Sequence, residues 1–151
     1  MYTVLAIIFI AAIAFGFFNR GPKLQTMDGT VYAIDGDTLV WNDDRVRLYG
    51  LDTPEKGQRG GNAATTALRN GISHGNLTLK PIERDVYGRL VARVFVGKID
   101  VGGELVSQGY AIADKYSKIY RNREIDARRN KRGLWAMGGI EDPAAHRARH
   151  Q

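Results

Sequence analysis

No cysteine occurs among the 151 residues, so disulfides and thiolate metal sites are both excluded. That absence does not fix a compartment, because an exported protein need not carry disulfides. Histidine is nearly as scarce. His74, His146 and His150 show no ligand spacing, which argues against a histidine-based site. No internal repeat or low-complexity tract is visible. Acidic residues are missing from the first 27 positions, and from Met1 to Asn19 there is no charged side chain at all.

What remains is 44% hydrophobic and 25% charged, enough for one domain with a modest core. The net charge of +6 favours a polyanionic partner such as nucleic acid or an anionic membrane, although a merely soluble basic surface gives the same number. The uncharged N-terminal stretch, residues 2–18, is almost unbroken apolar sequence with no polar face, which speaks against a buried core helix. It reads as a hydrophobic helix, either an uncleaved anchor or a signal peptide with Ala12-Ile13-Ala14 as a small-x-small cleavage site. The expected location is secreted or membrane-anchored outside the cytoplasm. Arg20 and Lys23 after the run leave a cytoplasm-facing orientation open. The division is residues 1–27 for this segment and its linker, 28–137 for the folded domain, and 138–151 for a flexible tail.

From Asp28 onwards the pattern alternates with period two. Val31–Ile34, Leu39–Trp41 and Val46–Leu51 read as strands, separated by Gly36 and by Asn42-Asp43-Asp44 and closed at Asp52-Thr53-Pro54. Asn62 caps a predicted helix over residues 63–69 that Gly71 closes. Two more strands follow, near 76–83 and 90–96, joined by an Asp85-Val86-Tyr87-Gly88 turn. Helices are predicted over 101–108 and, highly basic, over 116–132. The class is α+β, mainly β: a small barrel of five strands, to which an OB-type barrel fits, with three helices and the N-terminal hydrophobic helix.

The chemistry concentrates between Val31 and Glu55. Carboxylates gathered at strand ends repel one another, and a hard cation with oxygen ligands removes that cost. Asp35-Gly36-Asp37 or Asp52-Thr53-Pro54 alone reads as an ordinary capping turn. The two together in one sheet, with Glu55 alongside, favour a metal. Arg47 and Arg89 have the planar fork that matches phosphate oxygens, and surface pairs with Asp43 or Asp85 are the alternative. Tyr87, Tyr110 and Tyr116 could stack on bases or donate to phosphate, with packing the more ordinary role for Tyr110.

These residues carry a resemblance. Asp35-Gly36-Asp37-Thr38, Arg47 five positions before Asp52-Thr53-Pro54-Glu55, Asp85-Val86-Tyr87-Gly88-Arg89, Gln108-Gly109-Tyr110-Ala111 and Gly133-Leu134-Trp135 resemble, in order, the landmarks of the staphylococcal (thermonuclease-type) nuclease family. The resemblance implies a five-stranded OB-fold barrel with three helices, and cleavage of DNA and RNA, single-stranded favoured, by a monomer with one Ca²⁺. It implies that Asp37 and Asp52 bind Ca²⁺ through carboxylates and Thr53 through its carbonyl, with Asp35 behind them. Glu55 would act as general base, Arg47 and Arg89 would stabilise the phosphoryl transition state, and Tyr87 and Tyr116 would contact the substrate. Val86 departs from the lysine that well-known members carry. Two other readings stand beside the enzyme: a non-catalytic OB-fold module that binds nucleic acid, and a domain tethered to a membrane through residues 2–18.

Overall fold

The computed structural model describes residues 22–149. The hydrophobic segment 2–18 and its expected helix lie outside the described residues. Among those described, no helix is long and apolar enough to cross a membrane.

The architecture is mixed α+β. Among the described residues the nine strands are β1 (Gln25–Thr26), β2 (Val31–Ala33), β3 (Thr38–Trp41), β4 (Asp44–Leu48), β5 (Leu51–Asp52), β6 (Leu77–Arg84), β7 (Leu90–Val96), β8 (Ile99–Asp100) and β9 (Ile112–Ala113). The helices are α1 (Gly61–Ile72), α2 (Val101–Ser107), α3 (Arg121–Arg129) and α4 (Pro143–Arg149), with a 3₁₀ turn at Gly133–Met137. Seven strands form one sheet, ordered β1-β6-β7-β4-β3-β2, with β8 paired to β7; β5 and β9 make a separate pair. Every contact is antiparallel except β4 with β7, which run parallel.

This corrects the expected count of five strands and three helices. Tyr49-Gly50 divides the predicted third strand, because Gly50 adopts φ +84° and turns the chain between β4 and β5. Nor does the pairing close into a barrel among the described residues. The outer strands β1 and β2 are instead joined by residues 27–30, a link that reaches at most roughly 18 Å. The two sheet edges are therefore neighbours through the chain, not through a ladder.

Other boundaries moved for local reasons. Asn62 is not a cap: α1 begins after Gly60 at φ +93°, with no side-chain cap bond, and it runs through Gly71 to Ile72. Helical order in the basic segment is confined to α3, which follows a turn that starts at Asp114, whose Oδ1 accepts the amides of Tyr116 and Ser117. Residues 138–151, read in the sequence as a flexible tail, contain α4, whose start Asp142 caps by accepting the Ala144 amide at 2.9 Å.

The core lies between the inner face of the sheet and α1 and α2. Leu39, Val46, Leu48, Leu79 and Val94 come from strands, Leu68 and Val106 from helices, and all are sealed from solvent. Burial of such side chains contributes about 1.5–3 kcal/mol each before entropy is counted. Alternation along β4 buries Val46 and Leu48, which sends Arg45 and Arg47 to the other face. That face holds the site.

A candidate active-site cleft

Register brings the first acidic turn to Arg47. Thr38 pairs with Arg47 across β3 and β4, and the Leu48 amide donates to the Asp37 carbonyl at 2.8 Å. Within the turn the Asp37 amide donates to Asp35 Oδ1 at 3.1 Å. Gly36 is required for its position: a Cβ there would lie 2.6 Å from Thr53 Oγ1 and 2.8 Å from Ala64 Cβ. Only a glycine lets the first acidic turn rest against the second and against α1.

The second turn is fixed by the β5–β9 pair, in which Asp52 faces Ile112. Arg47 then spans the two turns. Its Nη1 lies 2.8 Å from Asp37 Oδ2, and its Nη2 hydrogen-bonds Asp52 Oδ1. Asp37 is 6% exposed, and burial pushes its carboxyl up to about 7. Arg47 pulls it down, but that single charge is shared with Asp52, and Asp35 and Asp52 push in the opposite direction. Burial also opposes the charge on Arg47, yet Asp37 and Asp52 hold the guanidinium above its ordinary value, so it stays a cation.

The β6–β7 hairpin supplies the opposite wall. Asp85 Oδ1 accepts the amides of Tyr87 and Arg89 at 2.9 and 3.0 Å, and its Oδ2 accepts Arg89 Nε at 2.7 Å. Asp85 thereby orients Arg89, whose guanidinium sits 5.4 Å from the centre of the Tyr87 ring. The alternative pairing considered from sequence is thus real for Arg89, whereas Arg47 pairs with Asp37 and Asp52 and not with Asp43.

Asp35, Asp37, Arg47, Thr53, Glu55, Tyr87 and Arg89 all line one cleft of about 570 Å³, and Asp52 reaches it through Arg47. Tyr116 does not: it lies in an adjoining depression that shares Arg47, Tyr87 and Arg89. Two lining residues, Arg45 and Arg147, were not singled out in the sequence. Arg45 was foreseeable as the period-two neighbour of Arg47. Arg147 carried no signal, because it stands 92 positions from Glu55, whose Oε1 it contacts through Nη1. A separate groove of about 580 Å³ between α1 and α2 is walled by Ala63, Ala67, Ile99, Val101 and Leu105 and brings together no arginine–carboxylate set.

Among the described residues no group of three or more His, Asp or Glu side chains is arranged to hold a metal. A site built from two carboxylates and a backbone carbonyl needs no such group. The donors available at Asp37, Asp52 and Thr53 are all oxygen, which suits a hard cation such as Ca²⁺ and not zinc. Asp37 also lacks enough positive charge to ionise freely, a deficit that a cation would fill. The donor set fits.

The sequence pattern of the family described as staphylococcal nuclease homologue matches residues 45–137, which hold Arg47, Asp52, Glu55 and Arg89. The chain belongs to this family. It is 31% identical over 125 residues to the probable endonuclease LCL3 of Candida glabrata, covering 70% of this chain and 49% of that protein. It is 33% identical over 124 residues to the probable endonuclease LCL3 of Saccharomyces cerevisiae, covering 69% and 45%. An uncharacterized endonuclease of Escherichia coli O157:H7 is 31% identical over 114 residues, covering 70% of this chain and 74% of that protein. The chain spans about half the length of the two yeast relatives. Asp35 and Asp37 lie just before the segment that matches the staphylococcal nuclease homologues, and register and Gly36 attach them to it.

Proposed function

We propose that the chain is a Ca²⁺-dependent endonuclease that hydrolyses phosphodiester bonds of DNA and RNA, with single strands favoured. The observation that carries this reading is the convergence of Asp37, Glu55, Arg47 and Arg89 on one cleft from four separate turns and strands. The order β1-β6-β7-β4-β3-β2, whose edge strands β1 and β2 are consecutive in the chain, supports an OB-type frame.

In this reading Asp37, Asp52 and the Thr53 carbonyl would hold Ca²⁺, with Asp35 behind them. When bound, the ion supplies positive charge against which the phosphate can be approached. Glu55 takes a proton from the attacking water, since Ca²⁺ acidifies water weakly and a separate base is needed. Arg89, already oriented by Asp85, and Arg47 donate to the phosphoryl oxygens as charge accumulates on them. Arg47 must turn part of its fork from Asp37 and Asp52 to do so. Tyr87, 81% exposed at the cleft edge, offers a ring for an unpaired base, which supports the single-strand preference. Tyr116 would meet the strand further along the adjoining depression. The apolar run at residues 2–18 supports export or tethering to a membrane, and the protein acts as a monomer.

The test is digestion of a single-stranded DNA oligonucleotide by the full chain with Ca²⁺ or with a chelator, beside Glu55→Ala. Cleavage is expected only with Ca²⁺, and the variant is expected to lose roughly 10²–10³ in rate. Absence of Ca²⁺-dependent cleavage would leave a non-catalytic binding module as the reading. Undiminished cleavage by Glu55→Ala would remove Glu55 from the role of base.

A further inference from the structure

The segment after Met137 lies beyond the family match, yet its Arg147 lines the cleft. It is tied across the loop that follows Glu55. Arg59 donates to the carbonyls of Met137 and Gly139 at 2.5 and 3.1 Å. The buried Gln58 accepts the Glu55 amide through Oε1 at 2.9 Å and donates through Nε2 to the Glu141 carbonyl at 3.2 Å. Pro143, at the start of α4, is fully buried and anchors the helix. From α4, Arg147 Nη1 meets Glu55 Oε1 while Nη2 lies 3.6 Å from Asp52 Oδ1. One segment therefore reaches Glu55 twice: its amide through Gln58 and its carboxylate through Arg147.

We propose that residues 138–149 form a strap that completes the site, and that Arg147 is a positioning residue for Glu55. The inference rests on the reading of Glu55 as general base. A half-exposed glutamate on a loop samples several rotamers, and only some place an oxygen beside the attacking water. A guanidinium bonded to Oε1 selects one of them and leaves Oε2 for the water. The other end of the same guanidinium approaches Asp52, so Arg147 also sets the spacing between the base and a carboxylate on the metal side of the cleft. An arginine that simply masked the base would engage both of its oxygens. This one divides its donors between two acids that the reaction needs at a fixed separation.

The experiment is steady-state cleavage of a single-stranded DNA oligonucleotide by the full chain with Ca²⁺. It compares wild type, Glu55→Ala, Arg147→Ala, Arg147→Lys and the double variant Glu55→Ala/Arg147→Ala, with amide hydrogen exchange over residues 55–60. Arg147→Ala is expected to lower kcat roughly 10–100-fold with KM changed less than about twofold, as misplacement of a catalytic group does. Arg147→Lys should recover part of the loss, and the double variant should be no slower than Glu55→Ala. Exchange over residues 55–60 should rise in Arg147→Ala. A rise in KM alone, or a loss that adds to that of Glu55→Ala, would overturn the proposal, because Arg147 would then act on the phosphate directly. A gain in rate would overturn it as well, because Arg147 would then mask the base. If Glu55→Ala is slow while Arg147→Ala matches wild type, the strap inference alone fails. If wild type is inactive, or Glu55→Ala matches it, the reading of the base fails and the inference with it.

Discussion

Gly61 packs against the backbone of Glu55 so closely that a Cβ at position 61 would stand 2.1 Å from the Glu55 carbonyl oxygen. The contact closes the loop in which the Gln58 amide donates to the Glu55 carbonyl and the Gly61 amide to the Gln58 carbonyl, both at 2.9 Å. Because the obstructing atom is backbone, Gly61→Ala must displace the loop and with it Glu55. A destabilisation of about 1–3 kcal/mol is expected from the overpacking. A loss of kcat beyond what unfolding explains is expected beside it. Denaturant titration and steady-state kinetics on the same preparation check both, and a wild-type kcat would show that the loop position does not matter to the chemistry.

Arg47→Ala should destabilise the metal-free protein by about 3 kcal/mol at pH 8, because it leaves buried Asp37 without its counter-charge. At pH 5 the loss should be smaller, since Asp37 can then hold a proton and has less need of a partner. Urea unfolding of both proteins at the two pH values tests this, and an equal loss at both would mean that Asp37 is not the group Arg47 serves.

Stability of the metal-free protein itself should fall as pH rises from about 4 to about 7. The sign follows from Asp37, whose carboxyl stands at about 7 when folded against 3.8 in the ordinary case. Folded protein holds a proton in that window that unfolded protein has released, so raising the pH favours the unfolded chain. Above about pH 7 this contribution is constant. Ca²⁺ should raise the melting temperature, and by more at pH 8 than at pH 5, where the ion must displace a proton. Calorimetric melts with and without Ca²⁺ across this range measure both effects.

Tyr87→Ala should raise KM for single-stranded DNA several-fold while leaving the melting temperature unchanged. The ring is exposed, with Arg89 over it, and stacking on a base is worth about 1–3 kcal/mol. Kinetics on single-stranded and duplex oligonucleotides check it. An unchanged KM on the single strand would remove Tyr87 from substrate contact.

Tyr120→Phe serves as the contrast, a stability effect away from the cleft. The Tyr120 hydroxyl is buried, and it donates to Asp100 Oδ2 at 2.8 Å. Asp100 caps α2 by accepting the Gly103 amide and also takes Arg93 at 2.6 Å. Removing the hydroxyl should cost about 1–2 kcal/mol in urea unfolding and leave kcat and KM intact.

Much of the candidate site was legible because its parts are local. Asp35-Gly36-Asp37 and Asp85-Val86-Tyr87-Gly88-Arg89 announce their turns through glycine and aspartate. The alternation around Arg47 announces which face it takes. In these stretches short-range sterics and hydrogen bonds decide the outcome, and they act between residues a few positions apart. Family membership was readable for the same reason, as ordered landmarks at set spacing.

Long-range register decided the rest. The pairing of Thr38 with Arg47 brings the first acidic turn to the arginine that also holds the second, and the missing side chain at Gly36 lets the two turns touch. Burial, which no residue carries in its own identity, pushes the Asp37 carboxyl up. Tyr116 was drawn toward the cleft by its residue type, but the turn at Asp114 leaves it in the next depression. Arg147 is the clearest case. Its stretch reads in sequence as a flexible tail, and nothing near it in sequence points to Glu55. Its role depends on the burial of Pro143 and on the Gln58 and Arg59 ties that fold the segment back. The sequence by itself determined which chemistry the turns could offer; the tertiary structure decided which charges meet, because ion pairs and close approaches depend on distances through space that chain spacing does not set.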